Sequence, residues 1–161
     1  MAARAAKSAT PRFWLVKTEP DVYSIDDLKR DRVTGWDGVR NYQARNFMRD
    51  DMRKGDLVLV YHSNCEPPGI VGLATVSREG HPDPTAFDPD DDHFDPKSDP
   101  NEPRWMQVEL RHTRTFRRIL PLATLRDDPH LAGMALLQKG QRLSVQPVSE
   151  AHFERIVDLA T

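Results

Sequence analysis

Three short stretches of the chain each combine an aromatic ring with side chains that hydrogen-bond or carry charge. The first contains Trp14, the second contains Trp36, and the third ends in His62 and Ser63. Aromatic faces stack on nucleobases, while amide, hydroxyl and cationic groups recognise the polar edge of a base. The stretches therefore indicate a pocket for a nucleobase. The alternative is that Trp14 and Trp36 are core residues, which is usual for tryptophan in a small barrel.

A nucleophilic site is the competing hypothesis for the third stretch. Cys65 is the single cysteine and follows His62 by three residues. A thiolate nucleophile needs a base within reach and a group that orients the base. Here the thiol and the imidazole share one loop, and nothing in the sequence marks an oxyanion hole. We interpret Cys65 as an ordinary loop cysteine and assign no catalytic residue; the alternative is a nucleotide or RNA hydrolase that uses His62 with Asp37 or Cys65.

The sequence offers little for a cofactor or a metal. It contains neither the GxGxxG nor the GxxxxGK[ST] phosphate-binding pattern, which argues against a nucleotide-cofactor enzyme. One cysteine excludes a disulfide within the chain and a zinc site built on two or more cysteines. Residues 88–92 are rich in carboxylates but lack the glycine and the terminal glutamate of an EF-hand. We predict no cofactor and no metal.

The net charge of -2 conceals an uneven distribution. Residues 81–103 carry a charge of -7, and the rest of the chain carries +5. Most of the basic residues are arginines, whose planar fork suits phosphates and base edges, although the codon bias of a GC-rich genome would produce the same excess. A pI near 6.3 argues against a protein that coats DNA indiscriminately.

Short strands and short helices must position these residues. Apolar periodicity, capping residues and turn residues predict strands at 13–18, 57–62, 69–76, 105–119 and 142–146, and helices at 24–30, 41–51 and 149–159. Residues 121–138 are interpreted as short helices and turns, and Pro147 is expected to stop the last strand. Because strands are rarely joined by long helices here, the pattern favours a mostly antiparallel α+β barrel.

The length of 161 residues fits one domain over 12–161, preceded by a disordered tail over 1–11. Residues 79–104 are acidic and rich in proline, so we expect a long, solvated surface loop there. No apolar run is long enough to span a bilayer, and the first residues do not form a secretory signal. We therefore expect a cytoplasmic protein with no membrane contact.

Several multi-residue motifs resemble those of the EVE domain family and occur in the family's order. They are FWLVKTEP (13–20), WDGVRNYQA (36–44), YHS (61–63), GIVG (69–72), DPTAF (83–87), DPKS (95–98), PRW (103–105) and RLSVQPV (142–148). The match extends from about residue 12 to residue 160. The resemblance implies a PUA-like fold, which is an α+β pseudo-barrel of mixed, mostly antiparallel strands surrounded by short helices.

The resemblance also implies a non-enzymatic module that holds a modified DNA or RNA base, such as methylated or hydroxymethylated cytosine, in an aromatic pocket. The pocket positions that it implies are Trp14, Lys17, Trp36, Arg40, Asn41, Tyr42, His62 and Ser63. Trp36 would form one wall of the pocket, and either Trp14 or Trp105 would form the second. Arginines around the pocket, among them Arg40 and Arg45, are expected to follow the nucleic-acid backbone.

Two other function classes remain open, namely the hydrolase described above and a protein that binds a small anion or metabolite. We expect a monomer or a weak dimer. Because a single binding domain has no effector of its own, we also expect an operon or effector protein partner.

Overall fold

The computed structural model describes residues 10–161. The strands in this range are β1 (Phe13–Thr18), β2 (Val33–Gly35), β3 (Leu57–His62), β4 (Gly69–Pro82), β5 (Met106–Pro121) and β6 (Val145–Val148). The α-helices are α1 (Ile25–Asp31), α2 (Tyr42–Asn46), α3 (Leu122–Arg126) and α4 (Glu150–Ala160). A π-helical turn covers Phe47–Asp51, and 3-10 turns cover Pro84–Phe87, Pro129–Leu131 and Ala135–Leu137.

The strands form one sheet in the order β2-β5-β4-β3-β1-β6. β1 pairs in parallel with β3, and the other neighbours are antiparallel. Several register shifts interrupt the long β4–β5 pair, and such irregularities bend and twist a sheet. The predicted α+β class, with a mixed and mostly antiparallel sheet surrounded by short helices, is confirmed.

The sheet separates two apolar clusters, one on each face. On β1, Trp14 and Val16 belong to the cluster that packs under α1 and the 36–52 region, whereas Leu15 belongs to the cluster under α3 and α4. Successive side chains of a strand point to opposite faces, so an unbroken apolar run is what a strand buried on both sides requires. β1 therefore runs between the two clusters, one strand in from the edge of the sheet.

Local sequence signals account for the helix starts. Ser24 caps α1 in a capping box with Asp27, and Ser149 caps α4 by accepting a hydrogen bond from the backbone N–H of His152. Asn41 caps α2 through a bond from the backbone N–H of Ala44. The predicted 41–51 helix is correctly placed, but its second half is a π-helical turn rather than α-helix.

Three strand predictions need correction. The short strand β2 was missed, because Val33–Gly35 is too brief to show a period. β4 continues to Pro82 because its far end pairs with β5. Pro147 lies inside β6, opposite Trp14, rather than stopping it. β6 is an edge strand, and the missing N–H of proline does no harm on the open side of an edge.

The acidic segment is tied to the body of the protein more firmly than a solvated loop would be. Asp83 and Ala86 are fully buried, and Asp95 accepts a 2.7 Å hydrogen bond from the indole Nε1 of Trp105. Several of its aspartates accept bonds from the backbone two residues later, as in the Asp91–His93 turn. These turns give the segment a defined path without regular structure.

Residues 1–9 of the predicted N-terminal tail lie outside the described residues, and Thr10 and Pro11 are exposed. In the part of the chain that the structure describes, no helix combines the length and the apolar character needed to cross a bilayer.

Candidate functional site

A cleft of about 540 Å³ opens at the carboxyl end of β1. This volume lies within the range of about 300–1,000 Å³ that is typical of small-molecule pockets. The cleft is formed by the end of β1 and the turn after it, the loop after β2, one residue of the acidic segment and one residue before β6. Its lining residues are Lys17, Thr18, Glu19, Val22, Tyr23, Thr34, Gly35, Trp36, Asp37, Gly38, Val39, Arg40, His93 and Ser144.

Trp36 forms the aromatic wall of the cleft. Its backbone N–H donates to the carbonyl oxygen of Val108 at 2.8 Å, which anchors the loop to β5. The two glycines that flank it are required by space and backbone angle. A Cβ on Gly35 would lie 2.6 Å from Nε2 of Gln107, and Gly38 has φ +77° with the His93 ring against it. The Tyr23 and Trp36 rings pack edge to face, with the centroids 6.1 Å apart and an angle of 85° between the planes.

The three tryptophans differ in what their indole N–H groups do. Trp14 donates to Asp56 at 2.9 Å, and Trp105 donates to Asp95. The indole of Trp36 has no hydrogen-bond partner within residues 10–161. Every fully buried side-chain nitrogen or oxygen in that range is paired, so the Trp36 Nε1 keeps some accessible surface, on a residue that lines the cleft. It is a free donor beside an aromatic face.

Lys17 supplies a second free donor. Its half-buried ammonium makes one long hydrogen bond, 3.4 Å to the carbonyl oxygen of Gln141, and has no carboxylate partner among residues 10–161. Burial lowers the pKa of Lys17 from its ordinary value, because the charged form loses hydration. An uncompensated cation in a cleft favours a carbonyl or an anionic group of a ligand.

Asp37 and His93 are two ionisable residues that line the cleft. Burial is the main cause that raises the pKa of Asp37, and the like charge of Asp83 adds to it. His93 comes from the acidic segment, and its Nδ1 lies 3.2 Å from Asp91. The cleft therefore carries a carboxyl group and an imidazole besides its two free donors.

A buried network holds the Trp36 loop in place. Asp83 is fully buried and accepts hydrogen bonds from Gly38 N (2.8 Å), Arg40 Nη1 (2.9 Å), and Thr85 N and Oγ1 (2.8 and 2.7 Å). Burial alone would raise the pKa of Asp83, but these bonds outweigh burial and hold its pKa below the ordinary value. Arg40 completes the network with two bonds to the carbonyl oxygen of His93. We call these contacts the Asp83 network.

The chain matches the model of a known protein family over most of its length. The EVE domain model covers residues 12–159. The chain belongs to the EVE domain family. Human thymocyte nuclear protein 1 is 40% identical over 91% of this chain and 72% of its own length. The resemblance inferred from the motifs is confirmed.

Solved structures of other EVE proteins are closely similar. A protein from Pseudomonas putida is 46% identical with a TM-score of 0.89, over 92% of this chain and 99% of that chain. The human THYN1 protein, solved in complex with DNA that contains 5-methylcytosine, is 39% identical with a TM-score of 0.86, over 92% of this chain and 97% of that one.

The EVE cleft contains three of the eight predicted site residues, namely Lys17, Trp36 and Arg40. Arg40 is nevertheless committed to the Asp83 network, since each of its guanidinium nitrogens donates within the protein. It shapes the cleft and is not free to follow a phosphate backbone. Arg45 differs from Arg40, because only its Nε and Nη1 donate within residues 10–161, to Asn46 and to the carbonyl oxygen of Arg104.

The structure places the other five predicted residues outside the cleft. Trp14 is 1% exposed and belongs to the core, as the alternative interpretation held. The Asn41 side chain is used as a helix cap, and Tyr42 stacks on Trp105 with the ring centroids 4.9 Å apart. His62 is buried, and the Ser63 backbone N–H donates to Thr18 next to the cleft. Neither Trp14 nor Trp105 forms a second wall; Tyr23 is the aromatic neighbour of Trp36.

The proposed His62–Cys65 pair does not form. Nε2 of His62 accepts a 3.1 Å hydrogen bond from the backbone N–H of Ile25, and burial lowers the pKa of His62. The Cys65 thiol lies near two backbone carbonyl oxygens, and burial together with Glu66 and Asp21 raises its pKa. Neither group is poised as a nucleophile–base pair. Among residues 10–161, no cluster of three or more His, Cys, Asp or Glu side chains could hold a metal ion.

Sequence reasoning missed four cleft residues of interest, namely Tyr23, Thr34, His93 and Ser144. His93 lies 57 positions after Trp36 in a segment that we expected to be solvated, and Ser144 lies in a stretch predicted as strand. Among these four, only Tyr23 had a local sequence signal. It is an aromatic residue in the turn between the Glu19–Pro20 end of β1 and the helix cap Ser24, and therefore close to the end of β1.

Proposed function

We propose that this protein binds nucleic acid by holding one modified cytosine base in the cleft, without chemical change. The observation that carries the proposal is the pairing of an aromatic wall with available donors. Within the described residues, the Trp36 indole has no hydrogen-bond partner and the Lys17 ammonium has only the 3.4 Å bond to Gln141. The human THYN1 protein, solved with 5-methylcytosine DNA, supports DNA as the ligand and 5-methylcytosine as the base.

In this proposal the base leaves its stack and enters the cleft, at a cost of a few kcal/mol. Trp36 stacks on the base, which typically contributes about 1–3 kcal/mol. Lys17 donates to the carbonyl oxygen of the base. The carboxylate of Asp37 accepts from the exocyclic amino group, which is the usual pairing of an acidic side chain with cytosine and excludes thymine.

The methyl group contributes less than the base itself. Burying one methyl-sized group contributes about 0.8 kcal/mol, which gives roughly fourfold preference. Val39 is the buried apolar side chain in the cleft wall and is suited to this contact. A larger preference requires the unmodified base to be held in a poorer position, with its amino group away from Asp37.

The test is a titration at fixed salt with oligonucleotides that differ at one position. Cytosine, 5-methylcytosine, 5-hydroxymethylcytosine and thymine occupy that position, in DNA and in RNA, and free 5-methylcytidine tests the metabolite alternative. We expect 5-methylcytosine DNA to bind most tightly and thymine to bind least. Incubation followed by analysis of the recovered oligonucleotide tests for turnover.

Variants of Trp36 separate binding from folding. Trp36 is 8% exposed and belongs to the core cluster, so Trp36→Ala should also cost about 3–5 kcal/mol of stability. Trp36→Phe keeps a ring in the core but loses the indole N–H and part of the stacking face. We expect Trp36→Phe to fold, to bind 5-methylcytosine DNA at least tenfold more weakly, and to lose the preference for the modified base. Unchanged binding by a folded Trp36→Phe would move the site elsewhere.

A further inference from the structure

Tyr42 is a large aromatic residue that the cleft does not use and that remains 54% exposed. Its ring stacks on Trp105 at 4.9 Å with an angle of 23° between the rings. The guanidinium carbon of Arg45 lies 4.9 Å from the centre of the same ring. We call Trp105, Tyr42 and Arg45 the Tyr42 stack.

The exposure of the Tyr42 ring is not needed to complete the core beneath it. Trp105 is 6% exposed and has its own polar partner in Asp95, so it is a fixed base for the stack. Tyr42 lies on the short helix α2, and its hydroxyl has no hydrogen-bond partner in the described part of the chain. An exposed ring held flat on a buried one has already lost its side-chain freedom, which is what a stacking platform needs.

The charge beside the ring points to a phosphate-bearing ligand. Within residues 10–161, Arg45 forms hydrogen bonds only to uncharged groups, the side-chain oxygen of Asn46 and the backbone carbonyl oxygen of Arg104. Burial is the main cause that lowers the pKa of Arg45; Arg49 and Arg104 lower it further, while Asp50 raises it. Planar guanidinium groups and aromatic rings are the surfaces on which unpaired bases stack.

The stack adjoins the cleft. Arg40 lines the cleft, and its guanidinium carbon lies 5.3 Å from the centre of the Trp105 ring. One side chain therefore separates the base-binding cleft from the buried member of the stack. A strand that placed one base beside Trp36 could place a nearby base on Tyr42.

We propose that the Tyr42 stack is a second nucleic-acid contact, which stacks an unpaired base close to the modified one while Arg45 contacts the phosphate between them. This inference rests on the proposed function and adds the strandedness of the ligand. A base that is paired within a duplex cannot lie on Tyr42. The protein should therefore bind a single-stranded or locally opened site more tightly than the same sequence in an intact duplex.

The test uses single-stranded DNA with one central 5-methylcytosine. In matched oligonucleotides, each neighbouring base is replaced in turn by an abasic unit. The full chain is compared with Tyr42→Ala, Tyr42→Phe and Arg45→Gln. Phe94→Ala is the matched control, because Phe94 is another exposed ring (38%) but lies on the acidic segment.

We expect Tyr42→Ala to weaken binding by about 5- to 100-fold, and one abasic replacement to weaken wild-type binding by a similar factor. The two losses should not add when combined. Tyr42→Phe and Phe94→Ala should bind as wild type does, and Arg45→Gln should reduce the salt slope by about 0.7, as for one lost phosphate contact on a single strand. If Tyr42→Ala fails to fold, Tyr42→Leu fills the same space without a ring and replaces it.

Wild-type affinity for folded Tyr42→Ala or Tyr42→Leu would overturn the proposal, as would indifference to every abasic replacement. Equal affinity for duplex and single strand would also overturn it. A preference for 5-methylcytosine that survives in Tyr42→Ala would support the proposed function of the cleft. The Tyr42 stack would then be judged separately, by the loss of affinity in Tyr42→Ala and by the abasic replacements. Loss of binding in Tyr42→Ala without any preference for the modified base would support the stack and overturn the cleft.

Discussion

The cleft and the Asp83 network share the loop after β2, but they differ in whether their polar groups are hydrogen-bonded within the protein. In the network, Asp83 accepts four hydrogen bonds, and Arg40 uses each of its nitrogens within the protein. In the cleft, the Trp36 indole N–H has no partner within residues 10–161, and Lys17 has one weak one there. Buried polar groups stabilise a fold when they are paired and cost free energy when they are not.

Under the proposed function, this contrast separates the part of the site that stabilises the fold from the part that is available to a ligand. The network holds Gly38 and therefore Trp36 at a defined place, from a carboxylate that lies 45 positions away in the chain. The cleft then presents unpaired donors at that fixed place. A protein that paired every group in the cleft would be more stable and would have nothing to offer a base.

Breaking the network should have the largest effect. Asp83→Ala leaves the Arg40 guanidinium and the Gly38 N–H without their buried acceptor, so the free energy of unfolding should fall by about 3–5 kcal/mol. Denaturant titration measures this loss. At a temperature where the variant is still folded, binding of 5-methylcytosine DNA should also fall, because the Trp36 loop and His93 lose their anchor.

Asp128→Ala is the control for that effect. Asp128 is another largely buried carboxylate, paired with Arg155 and His130, and it lies under α4 away from the cleft. We expect Asp128→Ala to lower stability and to leave the affinity of the folded protein unchanged. Equal losses of affinity in the two variants would show that binding follows general stability and not the network.

Replacing Lys17 should lower the affinity for DNA without lowering the stability of the protein. Lys17→Met removes a charge that burial already disfavours, while its chain still covers the same apolar surface. We expect an unchanged or higher melting temperature and an affinity for 5-methylcytosine DNA that is lower by about tenfold or more, the effect of one lost hydrogen bond from a charged group. A lower melting temperature with unchanged affinity would assign Lys17 to the fold.

The smallest effect concerns pH and the residue that sequence reasoning placed in the pocket. Burial lowers the pKa of His62, so the unfolded chain takes up a proton before the folded protein does as pH falls through about 6.5. The free energy of unfolding should therefore decrease from about pH 7.5 to about pH 5.5. The pKa of His112 is lowered in the same direction, so His62→Gln should flatten this slope without removing it.

Melting curves across that range measure the slope, and Gln can still accept the N–H of Ile25. A slope that is identical in His62→Gln and wild type would mean that the pKa of His62 is the same in the folded and the unfolded protein. A wild-type response of DNA affinity to pH that vanishes in His62→Gln would instead return His62 to the binding site.

Much of the fold follows from local sequence. Apolar runs at β1 and β3 predict strands buried on both faces, and Ser24 and Ser149 mark helix starts because their hydroxyls accept backbone N–H groups nearby. The pair of glycines around Trp36 marks a tight loop, and both are needed for space. β2 and the extension of β4 were not predictable in this way, because they are defined by pairing with a distant partner, β5.

The sequence by itself determined that the chain is an EVE domain, since ordered motifs and local signals carry that information. The tertiary structure alone decided which polar groups stay unpaired. Trp14 lies in an apolar run and Trp36 in a glycine-rich loop, and neither pattern tells what the indole N–H contacts. The Trp14 indole donates to Asp56, whereas Trp36 lines the cleft. Likewise, the sequence predicted Tyr42 in the cleft and did not predict His93, whereas in the structure His93 lines the cleft and Tyr42 does not. Whether a side chain is satisfied depends on partners tens of residues away, and no local pattern encodes that.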